Sequence, residues 1–135
     1  MFRQVVSTAT DSLFPATCVH SNRAGELLCD TCLMDATRLT SDGSCRMCAL
    51  PIRGATLCGR CSSDPPSVSS LVATFAFDGA IRSAVHSLKY EGLRAISPIL
   101  SEEMAARWGD RRRAPDVIVP IPLHRSRLRS RDYNQ

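Results

Sequence analysis

The segment CRMCALPIRGATLCGRC (residues 45–61) contains two C-x-x-C pairs, separated by nine residues, and few large apolar side chains. Two intervening residues let both thiolates of a turn face one cation, and zinc takes four such ligands in a tetrahedron. We therefore predict a zinc site formed by Cys45, Cys48, Cys58 and Cys61. Iron–sulfur ligation and a labile thiol cluster are the alternatives. Because protein atoms would fill every ligand position, the metal is expected to be structural and to replace a hydrophobic core.

A second, less complete ligand set precedes this one. Cys29 and Cys32 form a third C-x-x-C pair, and Cys18 precedes them, but Ser21 stands where a further cysteine would complete a fourth pair. His20 is adjacent, and a neutral imidazole is an ordinary zinc ligand. We predict a first zinc site with the ligands Cys18, His20, Cys29 and Cys32. The alternative is an exposed histidine and a weakened or empty site. Two ribbons in series are favoured, although a cross-braced pair sharing ligands stays open.

The cysteine usage indicates a reducing compartment. All seven cysteines lie between Cys18 and Cys61, and no apolar run typical of a signal peptide precedes them. In the cytosol, paired thiols are more often metal ligands than disulfides. No apolar stretch approaches the roughly 20 residues needed to cross a bilayer. We therefore expect a soluble, cytoplasmic protein.

The composition divides the 135-residue chain into a cysteine-bearing front and a cysteine-free back. A short amphipathic helix is predicted over residues 2–13, within a lead-in that ends at residue 17. The double zinc ribbon is expected over residues 18–61. The Pro/Ser-rich stretch SSDPPSVSS (62–70) is interpreted as a linker, and residues 71–135 as the second unit.

The second unit has the pattern of an α/β fold. LVATFAF (71–77) predicts a strand, and Asp78 is a candidate N-cap for a helix that ends at Gly92. A second helix is predicted with Ser97 as its N-cap, Pro98 at its first position and Gly109 after its last turn. The uninterrupted apolar run in DVIVPIP (116–122) predicts a strand covered on both faces, as in a parallel sheet. The expected fold class is α/β with a small N-terminal zinc-ribbon module.

Arginine dominates the net charge of +4 and is concentrated late in the sequence. The arginines there are Arg111, Arg112, Arg113, Arg125, Arg127, Arg129 and Arg131. Guanidinium groups suit phosphate or pyrophosphate, so an anionic ligand is one interpretation. A solvated basic surface is the other.

The order of motifs resembles the ComF family of competence proteins. The resemblance is carried by LFPATC (13–18), the cysteine pairs, FAFDGAIRSAVHSLKYEG (75–92) and DVIVPIPLHRSRLRSRDYNQ (116–135). It implies a double zinc ribbon joined to a phosphoribosyltransferase-like domain with a Rossmann-type sheet. It further implies a role in the uptake or processing of single-stranded DNA. Single-stranded DNA or a protein of the competence machinery is the partner that the resemblance implies.

The chain departs from the family pattern at two places. Asp132 stands where the family has glycine, which reaches backbone conformations that aspartate adopts only at a cost. The acidic pair and glycine loop that bind phosphoribosyl pyrophosphate in such proteins have no match here. We interpret the chain as a truncated member with an incomplete sheet, in which catalysis is doubtful and no catalytic residue is assigned. Magnesium is expected only with a complete phosphoribosyl site.

Arg125 and Arg131 follow the predicted strand and are predicted to contact an anion, because strand ends in open α/β sheets gather ligands. Lys89 is predicted as a contact from a second side. The alternative function is a non-catalytic zinc-ribbon module that binds nucleic acid or a protein partner.

Overall fold

The computed structural model describes residues 15–109 and 115–134. The helix predicted over residues 2–13 and the arginines at 111–113 lie outside the described residues. Within them the chain forms five α-helices and one 3₁₀ turn. In chain order these are α1 Asp30–Met34, α2 Gly59–Ser63, α3 Gly79–Tyr90, the 3₁₀ turn Arg94–Ile96, α4 Ser97–Gly109 and α5 Arg125–Arg131. The two helices predicted for the second unit correspond to α3 and α4 and are confirmed.

Helix α3 begins and ends where its sequence signals predict. Asp78 is the N-cap residue, in an extended conformation. Gly92, two residues beyond the end of the helix, has φ +70°, a left-handed conformation that glycine adopts without steric cost. Residues spaced one turn apart bury one face of α3, among them Ala80, Ala84 and Leu88. This face positions α3 against the cysteine segment.

The strand predicted over residues 71–77 is wrong. The segment makes only an isolated antiparallel bridge, between Arg38 and Phe75. Two backbone hydrogen bonds flank this bridge: Leu39 N–H donates to Thr74 O at 3.0 Å, and Ala76 N–H donates to the carbonyl of residue 37 at 2.9 Å. The pairing stops there, because the alternation of side chains that favours a strand does not by itself supply a partner chain.

The strand predicted over residues 116–122 is also wrong. The side chains of Val117, Ile118, Val119 and Ile121 are 73–85% exposed. An apolar run forms a stable strand only when neighbouring strands pair with its backbone, and Pro120 and Pro122 have no N–H to donate. The part of the chain that the structure describes contains no β-strand. The predicted α/β class and the incomplete Rossmann-type sheet are therefore overturned by a fold of cysteine-centred turns and helices.

Within residues 15–109 and 115–134, two buried clusters take the place of a single core. The first joins the cysteine segment to the helices, and its buried members are Cys18, Leu28, Cys29, Cys32, Ala80, Ala84, Leu88 and Ile96. The second lies wholly within residues 45–61, and its buried members are Cys45, Cys58 and Cys61. The domain boundary at residues 62–70 stays a prediction, although side chains from both sides of it share the first cluster.

Helix α5 ends at Arg131, and Asp132 is its C-cap residue. Asp132 has φ +60° and ψ 2°, in the left-handed region, and its N–H donates to Leu128 O at 2.8 Å. This conformation is sterically unfavourable for a residue with a Cβ atom, whereas glycine adopts it without that clash.

We expect Asp132→Gly to stabilise the end of α5 by about 0.5–1 kcal/mol, because it relieves this cost. The measurement is hydrogen exchange of the Leu128 amide, which donates to His124 O at 3.0 Å. Asp132→Ala removes the same carboxylate but keeps a Cβ atom, so it is the matched control and should give no added protection. Equal protection in both variants would contradict the assignment.

No helix within residues 15–109 or 115–134 has the length and apolar composition required to cross a membrane.

Candidate metal centres

The structure brings together the four cysteines predicted for the second zinc site. The sulfur atoms of Cys45, Cys48, Cys58 and Cys61 lie within 4.8 Å of one another. Cys48 Sγ is 3.7 Å from Cys58 Sγ. A tetrahedron with zinc–sulfur bonds of about 2.3 Å has sulfur–sulfur edges of about 3.8 Å. The spacing of these sulfurs therefore fits a zinc ion.

Local backbone structure places these sulfurs. Cys45 begins a tight turn in which its N–H donates to Leu50 O at 2.7 Å and its carbonyl accepts from Ala49 N–H at 2.8 Å. Ala49 has φ +58°, which lets the chain reverse direction within the turn. Cys58 is the N-cap residue of α2, and Cys61 lies in its first turn. A turn and a helix start thus present two thiols each.

Hydrogen bonds and burial give the thiols of the second site unequal acidity. The Cys58 N–H, which donates to Cys45 Sγ at 3.3 Å, is the main cause that lowers the pKa of Cys45 to about 6. Burial opposes this shift, and the Cys48 and Met47 N–H groups add to it. Burial and hydrogen bonds with the neighbouring thiols raise the pKa of Cys61 to about 12. A dication among the sulfurs would favour the thiolate form of each.

The first site has three clustered sulfurs. Those of Cys18, Cys29 and Cys32 lie within 4.8 Å of one another and are buried. Cys18 begins a turn in which its N–H donates to Arg23 O at 2.8 Å and its carbonyl accepts from Asn22 N–H at 2.9 Å. Asn22 has φ +58°, the same value as Ala49 in the second site.

The two sites repeat one backbone pattern. Cys29 is the N-cap residue of α1, as Cys58 is of α2. The Cys29 N–H donates to Cys18 Sγ at 3.5 Å, and this bond is the counterpart of the one from Cys58 to Cys45. Isolated bridges close both turns, Thr17 with Ala24 in the first and Ser44 with Pro51 in the second. The prediction of two ribbons in series matches this repeated arrangement.

The structure does not bring His20 into the first sulfur cluster. The His20 side chain is exposed, and its Nδ1 lies 3.2 Å from Ser83 Oγ on α3. The group of ligand atoms within 4.8 Å of one another contains the three sulfurs without the imidazole. Ser21 lies closer to the cluster, with its Oγ 3.6 Å from Cys29 Sγ.

Hydrogen bonds from Ser21 influence the first site. Burial raises the pKa of Cys18, but the Ser21 hydroxyl and the N–H groups of Ser21, Cys29 and His20 outweigh it and lower that pKa to about 6. The Ser21 hydroxyl also acts to lower the pKa of Cys32, but hydrogen bonding with Cys29, burial and the proximity of Cys18 together raise it. The observed contact of this hydroxyl is with Cys29 Sγ.

Sequence reasoning missed the packing of the first site against α3. Cys18 and Ala84 are both fully buried in the same cluster, and Ile96 completes it from the 3₁₀ turn. Ala80 and Ala84 are one helical turn apart, and small side chains at this spacing permit close approach of another segment. That spacing was the available signal, although it does not identify which segment approaches.

The three predicted anion contacts do not form a shared cluster with the cysteines. Arg125 begins α5 and is exposed. The Arg131 guanidinium lies over the Tyr90 ring, 5.1 Å from its centroid. Lys89 precedes Tyr90 on α3 and is half-buried. Anion binding by these residues stays a prediction.

Sequence reasoning also missed a group of rings at α3. The Phe77 and His86 centroids are 6.3 Å apart and the His86 and Tyr90 centroids 5.1 Å apart. His86 and Tyr90 are four residues apart on a predicted helix, a spacing that places side chains on the same face. We call Phe77, His86 and Tyr90 the aromatic face.

The comparison with protein families agrees with the cysteine geometry. Residues 9–62 match the double zinc ribbon domain. The prediction of a double zinc ribbon is thereby confirmed. Together with the two clusters, this match assigns two structural zinc ions to the chain.

The curated proteins similar to the chain are DNA utilization proteins named YhgH. The chain is 33% identical over 114 residues to the one from Escherichia coli K12, 32% to that from Shigella flexneri and 31% to that from Salmonella typhimurium. In each case the match covers 80% of this chain and 49% of the relative. The chain thus spans about half the length of the curated relatives it matches. No solved structure shows significant similarity to it. Membership of the ComF family stays a prediction.

Proposed function

We propose that the chain contributes to DNA utilization as a zinc-ordered module that contacts single-stranded DNA. The similarity to the DNA utilization proteins over 80% of the chain supports the general role. The observation that carries the DNA contact is the exposed aromatic face. Phe77 is 60% exposed and Tyr90 is 67% exposed.

Exposed rings suit single-stranded nucleic acid because every base has a π-face that can stack on an aromatic side chain. His86 lies between the other two rings, in an edge arrangement with Tyr90 and a stacked arrangement with Phe77. The face therefore offers unpaired bases a row of rings on one side of α3.

Positive charge beside the aromatic face supports contacts with phosphate groups. Arg82 is exposed one turn before His86 on α3, and Arg131 reaches Tyr90 from α5. The predicted anion contacts Lys89, Arg125 and Arg131 would serve here as phosphate contacts. Asp78 and Glu91 cap the two ends of α3, so the attraction depends on α5 as well as on α3.

The test is fluorescence anisotropy with the zinc-loaded full chain and a labelled thymidine oligonucleotide of about 15 nucleotides. Loss of one stacked base costs about 1–3 kcal/mol, so Tyr90→Ala and Phe77→Ala should each raise Kd by about 5- to 150-fold. Met104→Ala is the control, because Met104 is 63% exposed but lies on α4. It should leave Kd unchanged.

Salt dependence provides an independent check. Affinity for single strands falls with salt by about 0.7 logarithmic units per phosphate contact and per tenfold increase in salt. Arg82→Gln should reduce the magnitude of this salt dependence by the amount that corresponds to about one phosphate contact. The proposal fails if both aromatic variants bind as tightly as the unmodified chain, or if affinity is independent of salt.

A further inference from the structure

The backbone repeat allows the two metal sites to be compared position by position. In the turn that begins at Cys45, the residue three positions later is Cys48, a member of the sulfur cluster. In the turn that begins at Cys18, the same position holds Ser21. We propose that the hydroxyl oxygen of Ser21, rather than the His20 imidazole, is the fourth ligand of the first zinc ion.

The interatomic distances agree with this pairing. Ser21 Oγ is 3.6 Å from Cys29 Sγ, and Cys48 Sγ is 3.7 Å from Cys58 Sγ. An oxygen ligand at about 2.1 Å and a sulfur at about 2.3 Å from a tetrahedral zinc lie about 3.6 Å apart. The Ser21–Cys29 distance thus matches one edge of a tetrahedron that has oxygen at this corner.

Ser21 directs its hydroxyl toward the sulfur cluster, where the oxygen contacts Cys29 Sγ. Its neighbour His20 occupies the position of Met47 in the repeat, and Met47 packs beside the second cluster without being a ligand.

The His20 imidazole has a different partner. Its Nδ1 lies 3.2 Å from the Ser83 hydroxyl, which donates to Gly79 O at 3.3 Å. These contacts tie His20 to the start of α3. His20 therefore helps to attach the first ribbon to the helix and does not complete the metal site.

The two ions should then differ in lability. A neutral hydroxyl is a weaker ligand for zinc than a thiolate, so the first ion has three strong bonds and the second has four. Zinc release from the unmodified, zinc-loaded full chain to a colorimetric chelator should show a fast phase from the first site and a slow phase from the second.

Two reciprocal variants test the assignment. Ser21→Cys gives the first site the four thiolates of the second, and we expect it to slow the fast phase by about tenfold or more. Cys48→Ser gives the second site the ligands proposed for the first, and it should turn the slow phase into a fast one. His20→Ala removes one exposed contact and no ligand, so it should change the release rates far less than either of these variants. A fast phase that responds to His20→Ala but not to Ser21→Cys would overturn the proposal.

Cobalt substitution gives a readout independent of release rates. The charge-transfer absorption of cobalt-loaded protein grows with the number of bound thiolates, so Ser21→Cys should increase it and His20→Ala should leave the whole spectrum unchanged. If Ser21→Cys does not fold, Ser21→Ala serves instead and should accelerate the fast phase. Unchanged release from Ser21→Ala, or a His20→Ala spectrum with altered cobalt bands, would count against a Ser21 ligand.

Discussion

Removal of zinc by a chelator is expected to abolish the ordered structure of residues 45–61. The buried residues of the second cluster are three cysteines, and only partly buried side chains such as Met47, Ile52 and Leu57 pack around them. Structural zinc supplies about 10–16 kcal/mol in small metal-ordered domains, which is far more than this apolar packing can replace. The measurement is the dispersion of amide signals in a nitrogen–proton correlation spectrum, recorded with parallel zinc determination.

The corresponding variant is Cys58→Ala, which removes one ligand and the thiol that caps α2. It should abolish the dispersion of the amide signals of residues 45–61 and lower the bound zinc toward one ion per chain. Ser62→Ala alters an exposed position in the same helix and is the control. A metal-free chain with fully dispersed signals for this segment would show that something other than coordination orders it.

Ile96→Ala is expected to destabilise the chain by about 2–5 kcal/mol, because it opens a cavity in the first cluster. Ile96 is fully buried, among Cys18, Ala84 and Leu88. Ile118→Ala makes the same chemical change at a side chain that is 84% exposed, so its effect should stay within about 0.5 kcal/mol. Urea unfolding of the two zinc-loaded variants gives the comparison.

The same variant should also affect the metal. Because Ile96 shares a cluster with the three sulfurs of the first site, its truncation should accelerate zinc release from that site. Release from the second site should not change, since the second cluster contains no residue beyond position 61. Equal rates of zinc release from Ile96→Ala and Ile118→Ala would show that the helical packing does not influence how firmly the first site holds its metal.

The second zinc site could be predicted from the sequence because its determinants are local. The two C-x-x-C spacings determine which thiols a turn and a helix start can present. All four ligands lie within residues 45–61, so the site requires no residue that is distant in the sequence. Helix α3 was equally accessible, because the candidate cap Asp78 and the stop at Gly92 lie beside it. Local signals of this kind identify elements but not their partners.

The failures concern non-local structure. The apolar run from Val117 to Ile121 has strand composition, yet a strand also requires a paired neighbour, and its side chains are exposed. His20 and Ser21 are adjacent in the sequence, and spacing alone does not reveal which side chain the turn directs toward the sulfurs. Their surroundings are visible only in three dimensions, where Ser21 Oγ lies 3.6 Å from Cys29 Sγ and His20 Nδ1 lies 3.2 Å from Ser83 Oγ.

The helical packing beside the first ribbon makes the two halves of the cysteine segment unequal in their tolerance of mutation. Leu88 and Ile96 give the first half an apolar support that the residues around the second cluster do not provide. This packing holds the turn that begins at Cys18, so the turn tolerates the weaker ligand proposed at Ser21. The second half lacks this support, so the loss of a strong donor there should disturb the local fold more.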